Sequence, residues 1–339
     1  MRDVASAAGG AGGEAHDRVV CTGALVCAPM DTAATRDQRI AQLLIFVTPA
    51  MFTTNMVLAR ATADFIPPVA LAELRWLGVV LLLLPFCGAE LRRRRAALAR
   101  EWRSLLILGS LGMGICGAGV YLAAATTTAT NIGLLYSFSP IGIILLSRAM
   151  FGERLSVRQA LGAALAFSGV LVIVLRGDPA TLLHLRFTTG DLLILVAAMS
   201  WALYAVLLKR WPSAFSVNAR LTAIAAAGVL VMLPFLAWEL AVQGPPVFDT
   251  RTVAAVLTLI VVPGAGAYAT YSYITKHLGP SRTGLTLYLS PIYTAVVAWL
   301  FLGEAFAAHH WIGAALVLPG LYLATHQPVP HTRPADEAR

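Results

Sequence analysis

Long uninterrupted runs of apolar residues alternate with short polar connections along the chain. Each run lasts roughly 18–22 residues, the length that an α-helix needs to cross about 30 Å of hydrocarbon. The runs lack the polar-apolar alternation of barrel strands, and only helices or closed barrels satisfy the backbone inside lipid. The pattern therefore predicts an all-α integral membrane protein with ten transmembrane helices. The predicted spans lie at about 41–59, 68–88, 104–124, 129–150, 156–175, 190–208, 219–240, 253–274, 280–302 and 308–325.

Composition points to the same class. Hydrophobic residues make up 58% of the chain and charged residues only 12%, with a mean hydropathy of +0.75. Soluble domains carry about 25% charged residues, so a soluble globular enzyme is excluded. The net charge of +8 is spread over short patches between apolar runs, with no basic domain to read nucleic acid. The expected partner is the lipid bilayer, with no nucleic acid.

The basic residues also predict an orientation. With the N-terminus placed inside, the inner segments hold 18 Lys and Arg residues and the outer segments hold 5. Cytoplasmic loops of membrane proteins carry this excess. We therefore expect a multi-pass protein of the cell (inner) membrane with both termini cytoplasmic.

The chain divides into two halves and two tails. Residues 1–38 are polar and rich in Gly and Ala, and are predicted to form a disordered cytoplasmic tail. The longest connection, 176–189, separates five spans from five more. The predicted repeats are 41–175 and 190–325, followed by a cytoplasmic C-terminal tail at 326–339.

The two halves share an internal repeat. Residues 130–174 align with 281–325 at a constant offset of 151, with 12 of 45 positions identical. Chance would give about four in so Ala- and Leu-rich a chain. Each half has an odd number of spans, so the second copy enters the membrane the opposite way up. Inverted repeats are typical of secondary transporters.

Two stretches carry a resemblance to a known family. Leu134–Gly169, with S-P, G-E and G-A-A-L in order, resembles the second half of an EamA repeat of the drug/metabolite transporter superfamily, and so does Leu285–Gly320. The resemblance implies ten helices, an inner-membrane location and movement of small metabolites, often export. Phe52 and Thr53 depart from the family, in which a Trp-Gly-like pair is common at these positions.

A binding site is expected near the midplane, where the repeats meet. Trp201 and Tyr204 lie three residues apart on one face of span six, and Tyr268 and Tyr271 do the same in span eight. Such aromatic side chains either bind a partly apolar solute or only pack neighbouring helices. The candidate substrate-binding residues are Asn55, Ser139, Trp201, Tyr204, Tyr271 and Ser290.

A second group of residues is a candidate for helix bending or gating. Pro140 and Pro291 each follow a serine within a span, and proline removes a backbone hydrogen bond. The bend is either purely structural or opens carbonyls to the transport path. Glu153 and Glu304 end spans four and nine, in a loop-capping or a gating role.

Glu73 and Arg75 leave two interpretations open: a buried functional pair, or side chains that reach the interface. The expected pocket has no central Lys, Arg, Asp or Glu, so a multiply charged substrate would be desolvated without compensation. We therefore expect a neutral, zwitterionic or weakly amphipathic solute, such as an amino acid, its derivative or a drug-like compound.

The sequence predicts a secondary transporter that exports small organic metabolites by alternating access. The alternatives are a passive facilitator or channel, and a polytopic membrane enzyme. The chain shows no H-E-x-x-H motif, nucleophile elbow or P-loop, so neither catalysis nor ATP-driven transport is expected. No cofactor and no metal are expected either, and a homodimer stays open.

Overall fold

A computed structural model describes residues 32–127, 129–152, 156–184, 188–302 and 307–325. Every regular element within these ranges is helical, as the apolar runs predict. The helices before the central connection are α1 (Thr32–Thr62), α2 (Pro68–Arg93), α3 (Arg95–Leu108), a π-helical segment (Gly109–Ala118), α4 (Gly119–Ala124), α5 (Ala129–Tyr136), α6 (Ser139–Phe151) and α7 (Val157–Val174).

The central connection contains a 3₁₀ helix, Pro179–His184. The helices that follow it are α8 (Thr189–Arg210), α9 (Val217–Gln243), α10 (Thr250–Leu259), a second π-helical segment (Ile260–Ala267), α11 (Tyr268–Leu278), α12 (Pro280–Leu285), a 3₁₀ turn (Thr286–Leu289), α13 (Ser290–Leu302) and α14 (Ala308–Thr325).

Eight helices in the described part of the chain are long and apolar enough to cross a membrane, and they match the first eight predicted spans. The ninth predicted span is divided by its 3₁₀ turn, which leaves Ser290–Leu302 with only 13 residues. The tenth corresponds to α14, where His309 and His310 lower the hydropathy of the first turn. The all-helical, multi-pass class is confirmed, whereas the count of ten spans stays a prediction.

The first helix begins earlier than the sequence pattern indicates. Residues 1–31 lie outside the described part of the chain, and α1 begins at Thr32. Residues 32–38 are therefore helical, although they were assigned to a disordered tail. They contain neither Gly nor Pro, so nothing ends the helix where its apolar face stops.

Polar side chains hold several helix starts in place. Ser156 and Gln159 form a reciprocal capping box at the start of α7. Asp249 accepts the backbone N–H of Thr252 at 2.8 Å at the start of α10. This hydrogen bond lowers the pKa of the Asp249 carboxyl, because it stabilises the ionised form.

The long helices α2 and α9 cap each other at both ends. Near the end of α9, Glu239 accepts the backbone N–H groups of Val69 and Ala70 at 2.9 and 2.7 Å. Near the end of α2, Glu90 accepts the backbone N–H and the hydroxyl of Ser216 at 2.9 and 2.7 Å. The two helices therefore run antiparallel, with a carboxylate at each helix N-terminus, where the helix dipole favours negative charge.

A repeated sequence motif accounts for these reciprocal caps. Residues 84–91 and 233–240 both read L-P-F-x-x-x-E-L, at an offset of 149. The alignment of 130–174 with 281–325 does not include these positions, so the sequence analysis missed the motif. Its glutamate is the capping carboxylate in each copy.

A second reciprocal contact joins α7 and α14. A Cβ added at Gly162 would lie 2.6 Å from the carbonyl oxygen of Gly320, and one at Gly169 would lie 2.6 Å from that of Gly313. The offset of 151 pairs Gly162 with Gly313 and Gly169 with Gly320, so each contact is the counterpart of the other. Small residues allow membrane helices to approach this closely.

Irregular backbone also recurs at equivalent positions. The two π-helical segments begin at Gly109 and Ile260, again 151 residues apart. Regular helix stops before Ser139-Pro140, and it gives way to a 3₁₀ turn before Ser290-Pro291. These features are what an internal duplication predicts, while the inverted arrangement of the two copies stays a prediction.

Candidate functional site

Six aromatic side chains from four helices meet inside the helical bundle. Trp201 lies at the centre of this aromatic cluster, with ring centroids 5.3 Å from Tyr204, 5.3 Å from Tyr268 and 4.9 Å from Tyr271. The cluster consists of Phe52 on α1, Trp76 on α2, Trp201 and Tyr204 on α8, and Tyr268 and Tyr271 on α11.

Local backbone geometry makes room for these rings. Gly112, in the first π-helical segment, has no side chain where the Tyr204 ring packs; a Cβ there would lie 2.8 Å from the ring. The Tyr268 hydroxyl donates a hydrogen bond to the Gly112 carbonyl at 3.1 Å. The glycine-rich run in span three is therefore a packing surface, with one carbonyl accepting a bond from the cluster.

A buried polar network borders the aromatic cluster. The Nη1 atom of Arg75 donates to the side-chain oxygen Oδ1 of Asn55 at 2.5 Å and to the Tyr121 hydroxyl at 2.9 Å. That hydroxyl in turn donates to Asn55 at 2.6 Å. The guanidinium carbon lies 4.3 Å from the centroid of the Trp76 ring, within the range of a cation–π contact.

Trp76 joins the network to the cluster, because its ring meets Tyr268 edge-on with centroids 4.7 Å apart. Arg75 is 2% exposed and Glu73 is 4% exposed, so neither reaches the interface. Arg75 therefore places a buried basic side chain directly against Asn55, a predicted site residue.

Several polar atoms at this site are buried without a hydrogen bond of normal geometry. They are the side-chain N–H groups of Trp76 and Trp201, Nε of Arg75 and the hydroxyls of Tyr204 and Tyr271. A buried polar group without a partner costs about 1–3 kcal/mol. Such groups are rare in native proteins, so each of them calls for an explanation.

The structure brings together some of the predicted site residues and separates others. Trp201, Tyr204 and Tyr271 share the aromatic cluster, and Asn55 reaches it through Arg75. Ser139 is buried outside the ring contacts, and its hydroxyl has no partner. None of these positions has been tested for substrate contact.

The backbone of Ser290, rather than its hydroxyl, makes the described contact. Its carbonyl accepts hydrogen bonds from the Thr53 hydroxyl at 3.3 Å and from the Thr294 hydroxyl at 2.9 Å. Pro140 is buried and Pro291 is half-buried. Glu153 and Glu304 lie outside the described residues.

Sequence reasoning did not include Phe52, Thr53 and Trp76 among the candidate site residues, and it left the role of Arg75 open. Phe52 and Thr53 are the two positions that depart from the family pattern, and they contact the cluster and Ser290 respectively. An arginine within a long apolar run was the available signal for the polar network, because charge inside a membrane is costly.

A cavity of about 250 Å³ lies between the C-terminal end of α8, the first turns of α9 and the C-terminal half of α11. Leu208, one helical turn beyond Tyr204, and Ser272, next to Tyr271, are among its lining residues. The cavity thus begins beside the aromatic cluster. Lys209, Arg220 and Lys276 also line it, so its wall is basic.

Comparison with known proteins assigns this arrangement to a family. A model described as the EamA-like transporter family matches residues 39–175 and again 188–325. The chain belongs to this family. The resemblance seen in the sequence is confirmed, and the protein is a multi-pass membrane transporter.

Individual relatives of this EamA-like transporter align over most of their length. An uncharacterized transporter of Archaeoglobus fulgidus is 29% identical, covering 84% of this chain and 96% of its own. A probable amino-acid metabolite efflux pump of Escherichia coli is 26% identical, covering 85% and 94%. A solved crystal structure, 22% identical, shares the fold with a TM-score of 0.66 over 87% of this chain and 96% of its own.

Proposed function

We propose that this EamA-like protein is a secondary transporter that exports amino acids or closely related metabolites by alternating access. The observation that carries the proposal is the aromatic cluster, whose unpartnered N–H and O–H groups lie beside a buried arginine network. Apolar walls with a few convergent polar groups are typical of small-molecule sites. A metabolite with an apolar side chain and a polar end fits this chemistry.

The name of one relative agrees with this substrate class. The Escherichia coli relative is a probable amino-acid metabolite efflux pump. That name describes the relative, and 26% identity leaves room for another substrate in this chain. The local chemistry of the aromatic cluster therefore supports the proposal more directly than the relative does.

Alternating access is supported by the paired features of the two halves. The reciprocal carboxylate caps, the glycine contacts between α7 and α14 and the two π-helical segments recur at offsets of 149 to 151. Two copies inserted with opposite orientation can exchange inward- and outward-open shapes. We propose ten spans arranged as two such inverted copies.

The cavity beside the aromatic cluster supports the direction of transport. Lys209, Arg220 and Lys276 lie on the side that the charge asymmetry predicts to be cytoplasmic. Basic lining attracts solutes that carry a carboxylate. The cavity is thus the proposed cytoplasmic entrance for an exported metabolite.

Counterflow in liposomes tests the function. Purified protein is reconstituted with unlabelled L-phenylalanine inside, and uptake of labelled L-phenylalanine, L-leucine and L-norvaline is followed. Transient accumulation above equilibrium is expected, because a carrier exchanges substrates at one site. Absence of uptake for the whole panel would contradict the amino-acid class, and linear, non-saturating flux would favour a passive facilitator.

A pair of tryptophan variants links transport to the cluster. Trp201→Ala removes a side chain that is 2% exposed, whereas Trp299→Ala removes one on α13 that is 52% exposed. Only the first is expected to raise the KM for counterflow. Equal effects from the two variants would contradict the assignment of the site.

Orientation is tested by thiol labelling in intact cells. Glu153→Cys and Glu304→Cys are made in a background without the native cysteines. An impermeant thiol reagent is expected to label position 304 and not position 153. The reverse result would overturn the proposed threading and the cytoplasmic placement of the termini.

A further inference from the structure

We infer that Arg75 and Trp76 form a binding site for the carboxylate of the transported metabolite. This inference rests on the proposed function, since it names the polar end of the solute that the aromatic cluster receives. Neither residue is among the site residues that the sequence predicts.

The first argument is the charge balance at Arg75. Its printed partners, Asn55 and Tyr121, are neutral, and no carboxylate pairs with it in the part of the chain that the structure describes. A buried guanidinium in a membrane-spanning helix is costly without an anion. A purely structural arginine would normally be matched by an acidic side chain, as buried charges are paired or coordinated.

The second argument is the supply of free donors. Both hydrogen bonds of Arg75 to described residues use Nη1, and its Nε is buried without a partner among them. The indole N–H of Trp76 is also buried without a partner. A carboxylate is the ligand that a guanidinium binds most readily, because the fork of N–H groups matches its two oxygens.

The third argument is that these donors converge on one point of the neighbouring helix. A Cβ added at Gly117, in the first π-helical segment, would lie 3.0 Å from Nε1 of Trp76 and 3.3 Å from Nη2 of Arg75. Donors from both residues therefore meet next to a position that has no side chain. On the other side, Gly264 of the second π-helical segment lies against the Arg75 stem, where a Cβ would be 3.6 Å from Cγ.

The position of the donors defines the class of ligand. Trp76 contacts Tyr268, so a solute anchored at Arg75 would extend its apolar part toward Trp201 and Tyr271. A single guanidinium compensates one negative charge. The ligand is thus a monocarboxylate with an apolar or aromatic side chain, and organic cations are repelled.

Equilibrium binding tests this site without requiring transport. The probes are 3-phenylpropionate and 3-phenylpropanamide, which share the same carbon skeleton and end in an anionic carboxylate and a neutral amide respectively. Binding to purified protein in nanodiscs is measured by calorimetry and by tryptophan fluorescence. The carboxylate is expected to bind roughly 10- to 100-fold more tightly than the amide, the range of a hydrogen bond to a charged group.

Substitutions at Arg75 assign this preference to the guanidinium. Arg75→Gln, which retains hydrogen-bonding atoms but no charge, is expected to remove the preference for the carboxylate over the amide. Arg75→Lys keeps the charge but not the fork, so it should restore part of the preference. Glu90→Gln, which changes the Ser216 cap at the far end of the α2–α9 pair, serves as a control that keeps the preference.

A pair of glycine variants tests the same point with Arg75 in place. Gly117→Ala should weaken carboxylate binding because its Cβ would press on Nε1 of Trp76 and Nη2 of Arg75 and displace both donors. Gly114→Ala lies in the same π-helical segment, and its Cβ would come no closer than 3.8 Å to another atom, so it should bind normally. If Arg75→Gln does not fold, this pair of variants still tests whether the carboxylate binds at the donors of Arg75 and Trp76.

The outcomes separate the inference from the proposed function. Counterflow of amino acids without a carboxylate preference, or with one that survives Arg75→Gln and Gly117→Ala, would overturn the inference and leave the function standing. Carboxylate binding that depends on Arg75, without counterflow, would support the site and contradict the transport of amino acids. Absence of both would overturn both.

Discussion

Buried polar groups have hydrogen-bond partners at the reciprocal helix contacts, whereas several of those in the aromatic cluster do not. Where α2 meets α9, Glu239 is 1% exposed, and both of its carboxylate oxygens accept backbone N–H groups. In the cluster, the hydroxyls of Tyr204 and Tyr271 and the indole N–H of Trp201 lack such partners. Both regions lie inside the same bundle, so burial alone does not explain the difference.

We interpret this difference in hydrogen bonding as the difference between a structural contact and the proposed binding site. A buried polar group with partners fixes two helices relative to each other, and removing it leaves its partner unsatisfied. A buried polar group without a partner costs stability, so its presence in a native fold calls for a separate explanation. The reciprocal contacts therefore hold the two halves together, while the cluster keeps donors available.

The largest expected effect is on the glycine contact of the scaffold. Gly169→Val places methyl groups where even a Cβ would lie 2.6 Å from the Gly313 carbonyl oxygen. We expect a loss of about 3 kcal/mol, because overpacking forces the backbones of α7 and α14 apart. Thermal unfolding in detergent, followed by tryptophan fluorescence, measures it.

The control for this glycine is Gly88→Val on α2. A Cβ at Gly88 would approach only the Leu84 side chain, at 3.7 Å. Its unfolding temperature should fall much less than that of Gly169→Val. Equal losses would show that the contact between α7 and α14 is not a tight one.

The two capping carboxylates are expected to differ in strength. Glu239→Gln should cost about 2 kcal/mol, because the amide cannot accept both backbone N–H groups and water does not reach this end of α2. Glu90 is half-buried, so water replaces part of the lost bonding to Ser216. Glu90→Gln should cost about 0.5 kcal/mol.

Unfolding temperatures of the two variants, compared in the same detergent, check this order. A larger loss for Glu90→Gln would mean that solvent exposure does not set the strength of these caps.

The smallest effect concerns two tyrosine hydroxyls. Tyr121→Phe removes a hydroxyl that bonds to both Arg75 and Asn55, at an expected cost of about 1 kcal/mol. Tyr271→Phe removes a hydroxyl that makes no hydrogen bond of normal geometry, so stability should change by about 0 kcal/mol. The same unfolding assay compares them.

Tyr271→Phe is expected to lower ligand affinity, although it should leave stability unchanged. A lower affinity of Tyr271→Phe for the proposed amino-acid substrate, with unchanged stability, would support a role of this hydroxyl in the site rather than in the scaffold. A stability loss as large as that of Tyr121→Phe would contradict this difference, because the Tyr271 hydroxyl would then be a structural donor.

Much of the architecture follows from local features of the sequence. The length and polarity of the apolar runs predicted the helical membrane class, and their bounds matched the eight long helices. Helical spacing predicted that Trp201 and Tyr204 share a face, and the rings stack with centroids 5.3 Å apart. Length, polarity and spacing act within one helix, so the order of residues is enough to specify them.

The tertiary structure alone decided which polar side chain meets which partner. Arg75 bonds to Asn55 and Tyr121, 20 and 46 residues away, and Glu239 caps a helix start 170 residues away. In the sequence, Arg75 was equally compatible with reaching the membrane interface. The choice depended on how α1, α2 and α4 pack, because a buried guanidinium is stable only where neighbouring helices bring acceptors and aromatic faces to it.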